Sequence, residues 1–175
     1  MSVLPREQLV AQWRECSAIA GNIQTKGSPN HLLVNKIMDY PMNHFITYAA
    51  YIRQEMTNRN YHTMDKVWNK ITAITNNDYN ILPINEIYPN WMNNTYLQIC
   101  YWNLYEKYIC GGIKEIDWIK IEEKVKFLID SKQLNNGWSK ERIELLNKEK
   151  IDFYKIQIGL LKSQLNKTII NTPIG

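Results

Sequence analysis

Aromatic residues with a polar end are the groups in this sequence best suited to contact a ligand. The chain has 11 Tyr and 6 Trp but only 3 Phe. A Tyr or Trp ring combines an apolar face with a hydrogen-bonding atom, which suits the half-exposed wall of a binding site. Such a wall could stack a nucleic-acid base, and the alternative is that these rings pack one helix against its neighbours. Five of them lie close together in the sequence: Trp91, Tyr96, Tyr101, Trp102 and Tyr105.

Several other reactive arrangements are missing from the sequence. The three histidines (His31, His44 and His62) are far apart and no Cys-x-x-Cys occurs, so we predict neither a metal site nor a cofactor. There is no Gly-rich phosphate loop and no Gly-x-Ser-x-Gly. An odd count of 3 cysteines is typical of reduced thiols in a cytoplasm. No apolar run is long enough to predict a membrane span.

The basic and acidic residues are too evenly mixed along the sequence to favour binding of duplex DNA. The chain carries 21 Lys and Arg against 17 Asp and Glu, a net charge of +4. Residues 1–112 hold nine basic and eight acidic side chains, and residues 113–175 hold twelve and nine. A protein on B-DNA neutralises about 6–10 phosphates. The distribution therefore favours a small ligand, although folding could still gather the basic residues together.

Helical periodicity and a shortage of helix breakers predict an all-α protein. Only 7 Gly and 6 Pro occur. The first helix is predicted to begin at Pro5 and end at Gly21, with a loop over 21–31. Residues 76–93 are predicted to be a long irregular binding or lid loop, and Thr95 to cap the next helix. The core faces predicted for the first two helices are Leu9, Trp13, Cys16 and Ala20, and Phe45, Ala49, Ile52 and Met56.

The C-terminal third is predicted to add two helices, over 114–131 and from Ser139 to about Lys167. The break at Gly111-Gly112 divides the chain into a helical domain over 1–112 and a helical extension over 113–175. The apolar stripe of the last helix is only partly regular. It could dock on the protein's own core, or it could form a homo-oligomer or hold another protein.

Four segments, in order, resemble the pyrimidine-dimer DNA glycosylases, the family of phage endonuclease V. Residues 4–21 read LPREQLVAQWRECSAIAG, similar to an opening helix with Leu-Pro-Arg and an aromatic residue before Arg-Glu. Residues 31–41 read HLLVNKIMDYP, similar to a His-x-x-Val-Asn segment, and residues 55–62 read EMTNRNYH, similar to a helix end. Residues 87–100 read IYPNWMNNTYLQIC, similar to Ile-Tyr-Pro followed by Tyr-Leu-Gln-x-Cys. The resemblance covers about residues 4–112.

This resemblance implies a compact all-α, endonuclease V-like fold and an enzyme that flips a base out of DNA. In the family an N-terminal amine forms a Schiff base with the sugar C1′, and strand cleavage follows by β-elimination. The Arg-Glu pair falls on Arg14 and Glu15, so Glu15 would be the general acid/base or its relic. The alternative is a solvated helix face. His31 and Asn35, in the His-x-x-Val-Asn segment, join the five aromatic residues as candidate ligand contacts.

The sequence departs from the family ahead of Leu4, where only Met1-Ser2-Val3 stand in place of a longer segment that carries the amine. Glu15 lies ten residues after Pro5, roughly 15 Å along a helix. Three residues span at most about 10 Å, so the amine is not expected to reach Glu15. Either a longer enzyme begins upstream, or the scaffold has lost catalysis and kept a pocket.

We therefore expect a non-catalytic binding protein for a nucleotide-like small molecule, built on a glycosylase-like scaffold. The sequence is rich in Asn and Ile, which is typical of a low-GC bacterium or its phage. A phage protein of this kind could sequester nucleotide immune signals in the host cytoplasm. Two alternatives remain open: an active glycosylase/AP lyase that acts on DNA, and a helical protein-interaction module.

Overall fold

A computed structural model describes residues 2–31 and 34–131 of the chain. Over these residues it contains α-helices and short 3-10 helices and no strand, which confirms the all-α prediction. The α-helices are α1 (Arg6–Lys26), α2 (Met42–Asn58), α3 (Asp65–Thr72), α4 (Asn94–Ile109) and α5 (Glu115–Asp130). The 3-10 helices are Val34–Asp39, Ala73–Thr75 and Ile84–Glu86. The last helix predicted from the sequence, from Ser139 onward, lies outside the described residues.

The chain divides into two compact units, Met1–Lys124 and Val125–Gly175. The first unit includes the first turns of α5, because Trp118 is 3% exposed and its ring lies 5.3 Å from that of Tyr105 in α4. Gly111, at φ 78°, therefore forms a turn between two packed helices. The second unit is described only for residues 125–131. A separate role for residues 113–175 stays a prediction.

Helix α1 has the core face that its periodicity predicts, but it is longer than predicted. Its four predicted core residues are each no more than 6% exposed. The helix continues through Gly21 and ends at Lys26, where Gly27 adopts the left-handed conformation at φ 72°. Gly21 lies within the helix beside Lys70 of α3: a Cβ on Gly21 would be 2.6 Å from Lys70 Nζ. The predicted end at Gly21 was wrong, because this glycine accommodates a neighbour and breaks no helix.

Helix α2 runs antiparallel to α1. Its predicted core face is confirmed, with all four residues buried. Arg59, which follows α2, donates hydrogen bonds to the carbonyl oxygens of Leu4 at 2.7 Å and Ser2 at 2.9 Å. The C-terminal end of α2 therefore holds residues 2–4 at the N-terminal end of α1. Near the middle of both helices, Tyr48 of α2 contacts Gln12 of α1.

Residues 76–93 are irregular apart from one 3-10 turn, as predicted. They form hydrogen bonds with side chains of α2. The backbone N–H of Leu82 donates to Thr47 Oγ1 at 3.0 Å. The backbone N–H of Tyr88 donates to His44 Nδ1 at 3.0 Å. Because residues 82 and 88 are both hydrogen-bonded to α2, this part of the segment lies against that helix.

Helix α4 begins at an asparagine cap. The side-chain oxygen of Asn93 accepts a hydrogen bond from the backbone N–H of Tyr96 at 2.9 Å. Asn is among the strongest N-cap residues. The prediction that Thr95 caps this helix was therefore wrong by two residues. Leu97, in the first turn of α4, is 38% exposed.

Candidate functional site

Glu15 lies near the middle of α1, next to the buried stripe and exposed to solvent, as is Arg14. The side-chain nitrogen of Gln12 donates to Glu15 Oε2 at 3.2 Å. The side-chain oxygen of Gln12 accepts from the hydroxyl of Tyr48 at 2.5 Å. A hydrogen-bonded chain thus runs from α2 through Gln12 to the carboxylate. Among the described residues, Glu15 Oε1 has no hydrogen-bond partner, so it is available to accept one.

The negative charge of Glu15 contributes to the pKa of two tyrosine hydroxyls. Burial is the main cause that raises the pKa of Tyr48 above its ordinary value, and the negative charge of Glu15 contributes. Burial likewise raises the pKa of Tyr96 to about 12, with contributions from Cys100 and Glu15. The charge of Glu15 in α1 therefore acts on one phenol in α2 and one in α4. Both hydroxyls are already hydrogen-bonded, that of Tyr48 to Gln12 and that of Tyr96 to Cys100.

Tyr88 is a buried residue whose ring contacts those of Tyr40 and Trp91. It is 2% exposed, and its hydroxyl has no hydrogen-bond partner among the described residues. Its φ of 49° lies in the left-handed region, which costs a bulky residue energy. Burial raises its pKa, and the neighbouring Cys16 and Tyr96 contribute. A strained backbone together with an unpaired buried hydroxyl is typical of a functional position.

Tyr96 belongs to an aromatic cluster, which we call the first aromatic cluster. The ring of Trp91 lies 5.5 Å from that of Tyr96 and 5.1 Å from that of Tyr88. Lys36 Nζ lies 5.7 Å from the centre of the Trp91 ring. Trp91 and Tyr96 are half-buried, so part of each ring remains open to solvent. The members of the cluster are Tyr40, His44, Tyr88, Trp91 and Tyr96.

The other predicted aromatic residues belong to a second aromatic cluster, which shares no ring contact with the first among the residues that the structure describes. Its members are Tyr101, Trp102, Tyr105, Tyr108 and Trp118. Tyr101 is 4% exposed and Tyr105 is 5% exposed. Because these two rings are covered by the contact between α4 and α5, they leave little surface for a ligand. The five aromatic residues singled out in the sequence thus divide between two clusters, and only Trp91 and Tyr96 belong to the first.

His31 and Asn35 form a local turn. The backbone N–H of His31 donates to Asn35 Oδ1 at 3.1 Å, and the backbone N–H of Asn35 donates to the carbonyl oxygen of His31 at 2.8 Å. Both residues are exposed. Within the described residues, no hydrogen bond or ring contact joins either of them to Glu15 or to the first aromatic cluster. Their role in ligand contact stays a prediction.

Four residues of the site carried no signal in the sequence, and these are Gln12, His44, Tyr48 and Tyr88. Gln12 and Tyr48 lie on helix faces whose polar residues are ordinary for solvent-exposed positions. Tyr88 lies in an irregular segment, where no periodicity indicates which side chains turn inward. Its place in the core depends on the hydrogen bond from its backbone to His44, which links residues 44 positions apart.

In the part of the chain that the structure describes, no group of three or more His, Cys, Asp or Glu side chains is arranged to hold a metal ion. None of the helices in that part combines the length and apolar character needed to cross a membrane.

The segment that carries Arg14, Glu15 and Tyr48 is similar to a known family. Residues 1–69 match the family model for pyrimidine dimer DNA glycosylases. This match confirms the resemblance over α1, α2 and the start of α3. The resemblance beyond residue 69, including Trp91 and Tyr96, stays a prediction. No curated protein and no solved structure matches the chain.

Proposed function

We propose that the site around Glu15 binds a nucleotide-like small molecule and does not cleave DNA. The observation that carries the proposal is a contact between two half-buried aromatic rings, one of which is influenced by the charge of an exposed carboxylate. Glu15 acts electrostatically on Tyr96, and the ring of Tyr96 contacts Trp91. A nucleobase has the complementary chemistry, since it offers a flat face for stacking and N–H groups along its edge.

Each part of a nucleotide has a matching group at this site. Stacking on an aromatic ring contributes about 1–3 kcal/mol per base, and Trp91 and Tyr96 both expose part of a ring. Glu15 Oε1 can accept an N–H from the base edge. Lys36, exposed beside the Trp91 ring, can balance the charge of a phosphate.

The groups around Glu15 support binding over lyase chemistry there. Gln12 donates to its carboxylate, and its charge acts on the phenols of Tyr48 and Tyr96. A Schiff base needs an amine, and among the described residues no amine makes a hydrogen bond or an ion pair with Glu15. Sequestration of a nucleotide signal by a phage protein is one form that the proposed binding could take.

The proposal is tested by calorimetric titration of the protein with nucleoside monophosphates and cyclic dinucleotides. The matched variants are Trp91→Leu, in the first aromatic cluster, and Trp102→Leu, in the second. We expect the wild-type protein to bind, Trp91→Leu to bind at least about tenfold more weakly, and Trp102→Leu to bind almost normally. Circular dichroism checks that each variant is folded, and Tyr96→Leu serves as a second substitution in the site. Tight binding of duplex DNA, with no heat from any nucleotide, would refute the proposal.

A second candidate function is an active glycosylase/AP lyase. It is favoured by the family match over residues 1–69, which includes Arg14 and Glu15. Such a reaction needs an amine, and Lys36 is a described lysine that contacts the first aromatic cluster. Borohydride trapping on an abasic duplex would detect the Schiff base, and loss of the adduct in Lys36→Ala would identify the amine. The interaction-module alternative depends mainly on residues outside the described part of the chain.

A further inference from the structure

We infer that a cleft between α2 and α3 is a second binding site, which takes a small organic molecule that carries a carboxylate or phosphate group. The cleft has a volume of about 340 Å³. Pockets for small molecules begin at about 300 Å³, so it has room for a compact ligand. The residues that line it are Ala50, Arg53, Gln54, Thr57 and Trp68. None of them belongs to either aromatic cluster, so the site is distinct in its residues from the one proposed for a nucleotide.

The helical repeat brings the lining residues of α2 together. They are spaced i, i+3, i+4 and i+7 from Ala50 to Thr57, so they share one face of the helix. Trp68 in α3 completes the lining. Because Ala50 has only a methyl group, it leaves room above this face. One of the five lining side chains is positively charged and none is negatively charged, so the cleft favours an anion.

Arg53 is held in the cleft by three neighbours. Its guanidinium carbon lies 5.2 Å from the centre of the Trp68 ring. Its Nε donates to Thr63 Oγ1 at 3.3 Å, and its Nη2 donates to Asp65 Oδ1 at 2.5 Å. Because the guanidinium is already ordered by these contacts, a ligand does not have to immobilise it, which lowers the entropic cost of binding.

Arg53 retains donors that these contacts do not use. A guanidinium has five N–H groups. Nη1 has no hydrogen-bond partner among the described residues, and Nη2 carries a second hydrogen. The two terminal nitrogens form the edge on which a carboxylate or phosphate binds through two parallel hydrogen bonds. The apolar part of the ligand can then pack against Ala50 and Trp68.

Asp65 is the group that competes with such a ligand. Its side chain is 83% exposed, and that of Arg53 is 27% exposed. An ion pair this open to solvent contributes little stability, so a ligand anion can share or replace it at small cost. Glu55, two residues along α2, is paired with Arg59 instead, at 2.7 Å. Removing the charge of Asp65 should therefore strengthen anion binding, which a purely structural role for Arg53 does not predict.

The test follows the indole N–H resonance of Trp68 by NMR during titration with benzoate, phenyl phosphate and benzamide, a neutral analogue of benzoate. Its absence from the spectrum of Trp68→Phe assigns the resonance. We expect the anions, and not benzamide, to shift it at millimolar concentration, and the anion that binds more tightly identifies the preferred group. Arg53→Gln should weaken anion binding at least about tenfold, and Asp65→Asn should strengthen it about two- to fivefold. Lys66→Gln removes an exposed positive charge from α3 outside the lining residues, and this matched control should bind like the wild-type protein.

Ala50→Leu is a second variant that leaves every charge in place. Its larger side chain fills the cleft, so benzoate should bind more weakly while circular dichroism shows normal helix content. Three results would overturn the inference: equal shifts with benzoate and benzamide, no shift with either anion, or equal losses of affinity in Arg53→Gln and Lys66→Gln. Unchanged benzoate affinity in both Arg53→Gln and Ala50→Leu would also overturn it. None of these results bears on nucleotide binding at Trp91, which is measured separately.

Discussion

The hydroxyl of Tyr48 in α2 donates a hydrogen bond to the side-chain oxygen of Gln12 in α1 at 2.5 Å. The nitrogen of the same amide donates to Glu15 at 3.2 Å. An amide whose oxygen is held by a phenol has its nitrogen turned to the opposite side. Tyr48 therefore orients the carboxylate of Glu15 without contacting it, and it is a positioning residue for the site.

Tyr48→Phe tests this positioning role. The substitution removes a partly buried hydrogen bond, so we expect the free energy of unfolding to fall by about 1 kcal/mol. Nucleotide affinity should also fall several-fold, because without the Tyr48 hydroxyl the amide group of Gln12 can rotate and no longer orients Glu15. Tyr51→Phe is the matched control. Tyr51 also lies in α2, and its hydroxyl donates to the carbonyl oxygen of Leu82. This substitution should cost similar stability in urea unfolding and leave nucleotide affinity unchanged. Equal losses of affinity in both variants would contradict the positioning role.

Tyr88→Phe should behave in the opposite way to Tyr48→Phe. The Tyr88 hydroxyl is buried and lacks a partner among the described residues, so its removal ends a desolvation cost. We expect the free energy of unfolding to stay the same or to rise by up to about 1 kcal/mol. Urea denaturation measures the change. A loss of stability comparable to that of Tyr48→Phe would mean that the hydroxyl is paired in solution.

Gly21→Ala should stabilise the protein even though its new Cβ meets a neighbour. Alanine in place of glycine within a helix contributes about 0.5–1 kcal/mol. The atoms in the way are Lys70 Nζ at 2.6 Å and Lys70 Cε at 2.9 Å, both at the free end of a flexible side chain. We therefore expect Lys70 to move and the melting temperature to rise. Gly27→Ala is the control, and it should lose stability because its φ is 72°. A fall in melting temperature for both variants would show that Lys70 is fixed.

Alkaline pH should destabilise the fold through its buried thiol and phenols. Burial raises the pKa of Cys16 from 9.0 to about 12. Above about pH 9 the unfolded chain releases a proton from Cys16 that the folded chain retains, so rising pH favours unfolding. The contribution of Cys16 is unchanged below that pH. Above it, Cys16 lowers the free energy of unfolding by up to about 1.4 kcal/mol per pH unit until the folded pKa is reached.

Urea unfolding at pH 8, 9 and 10 measures this slope. Cys16→Ala should be less stable at every pH because it leaves a cavity, but its stability should fall less steeply between pH 9 and 10. An identical slope in the two proteins would show that Cys16 titrates normally in the folded state.

The helical core was predictable because it depends on local periodicity. The stripe from Leu9 to Ala20 and the stripe from Phe45 to Met56 follow the helical repeat and are buried as predicted. Boundaries were less predictable. Gly21 resembles a helix stop in the sequence, yet it lies within α1 beside a lysine 49 positions away, which no local pattern indicates.

The site was predictable only in part, because tertiary contacts assemble it. Glu15 was found through the family resemblance, and Trp91 and Tyr96 through their residue type. Their neighbours Tyr101 and Tyr105 have the same composition signal but are buried against α5. Residue type alone does not separate a ligand-facing ring from a packing ring. The side of α4 on which each ring lies decides between the two.

The central claim is that Glu15 belongs to a nucleotide-binding site, and one comparison tests it most directly. Calorimetric titration is carried out on the wild-type protein, Glu15→Gln and Glu7→Gln with the nucleotide that the wild-type protein binds most tightly. Losing a hydrogen bond to a charged group costs about 1.5–3 kcal/mol, so we expect Glu15→Gln to bind about ten- to a hundredfold more weakly, with normal folding. Glu7→Gln should bind like the wild-type protein. Equal nucleotide affinity in all three proteins, or cleavage of dimer-containing DNA that Glu15→Gln abolishes while no nucleotide binds, would contradict the account.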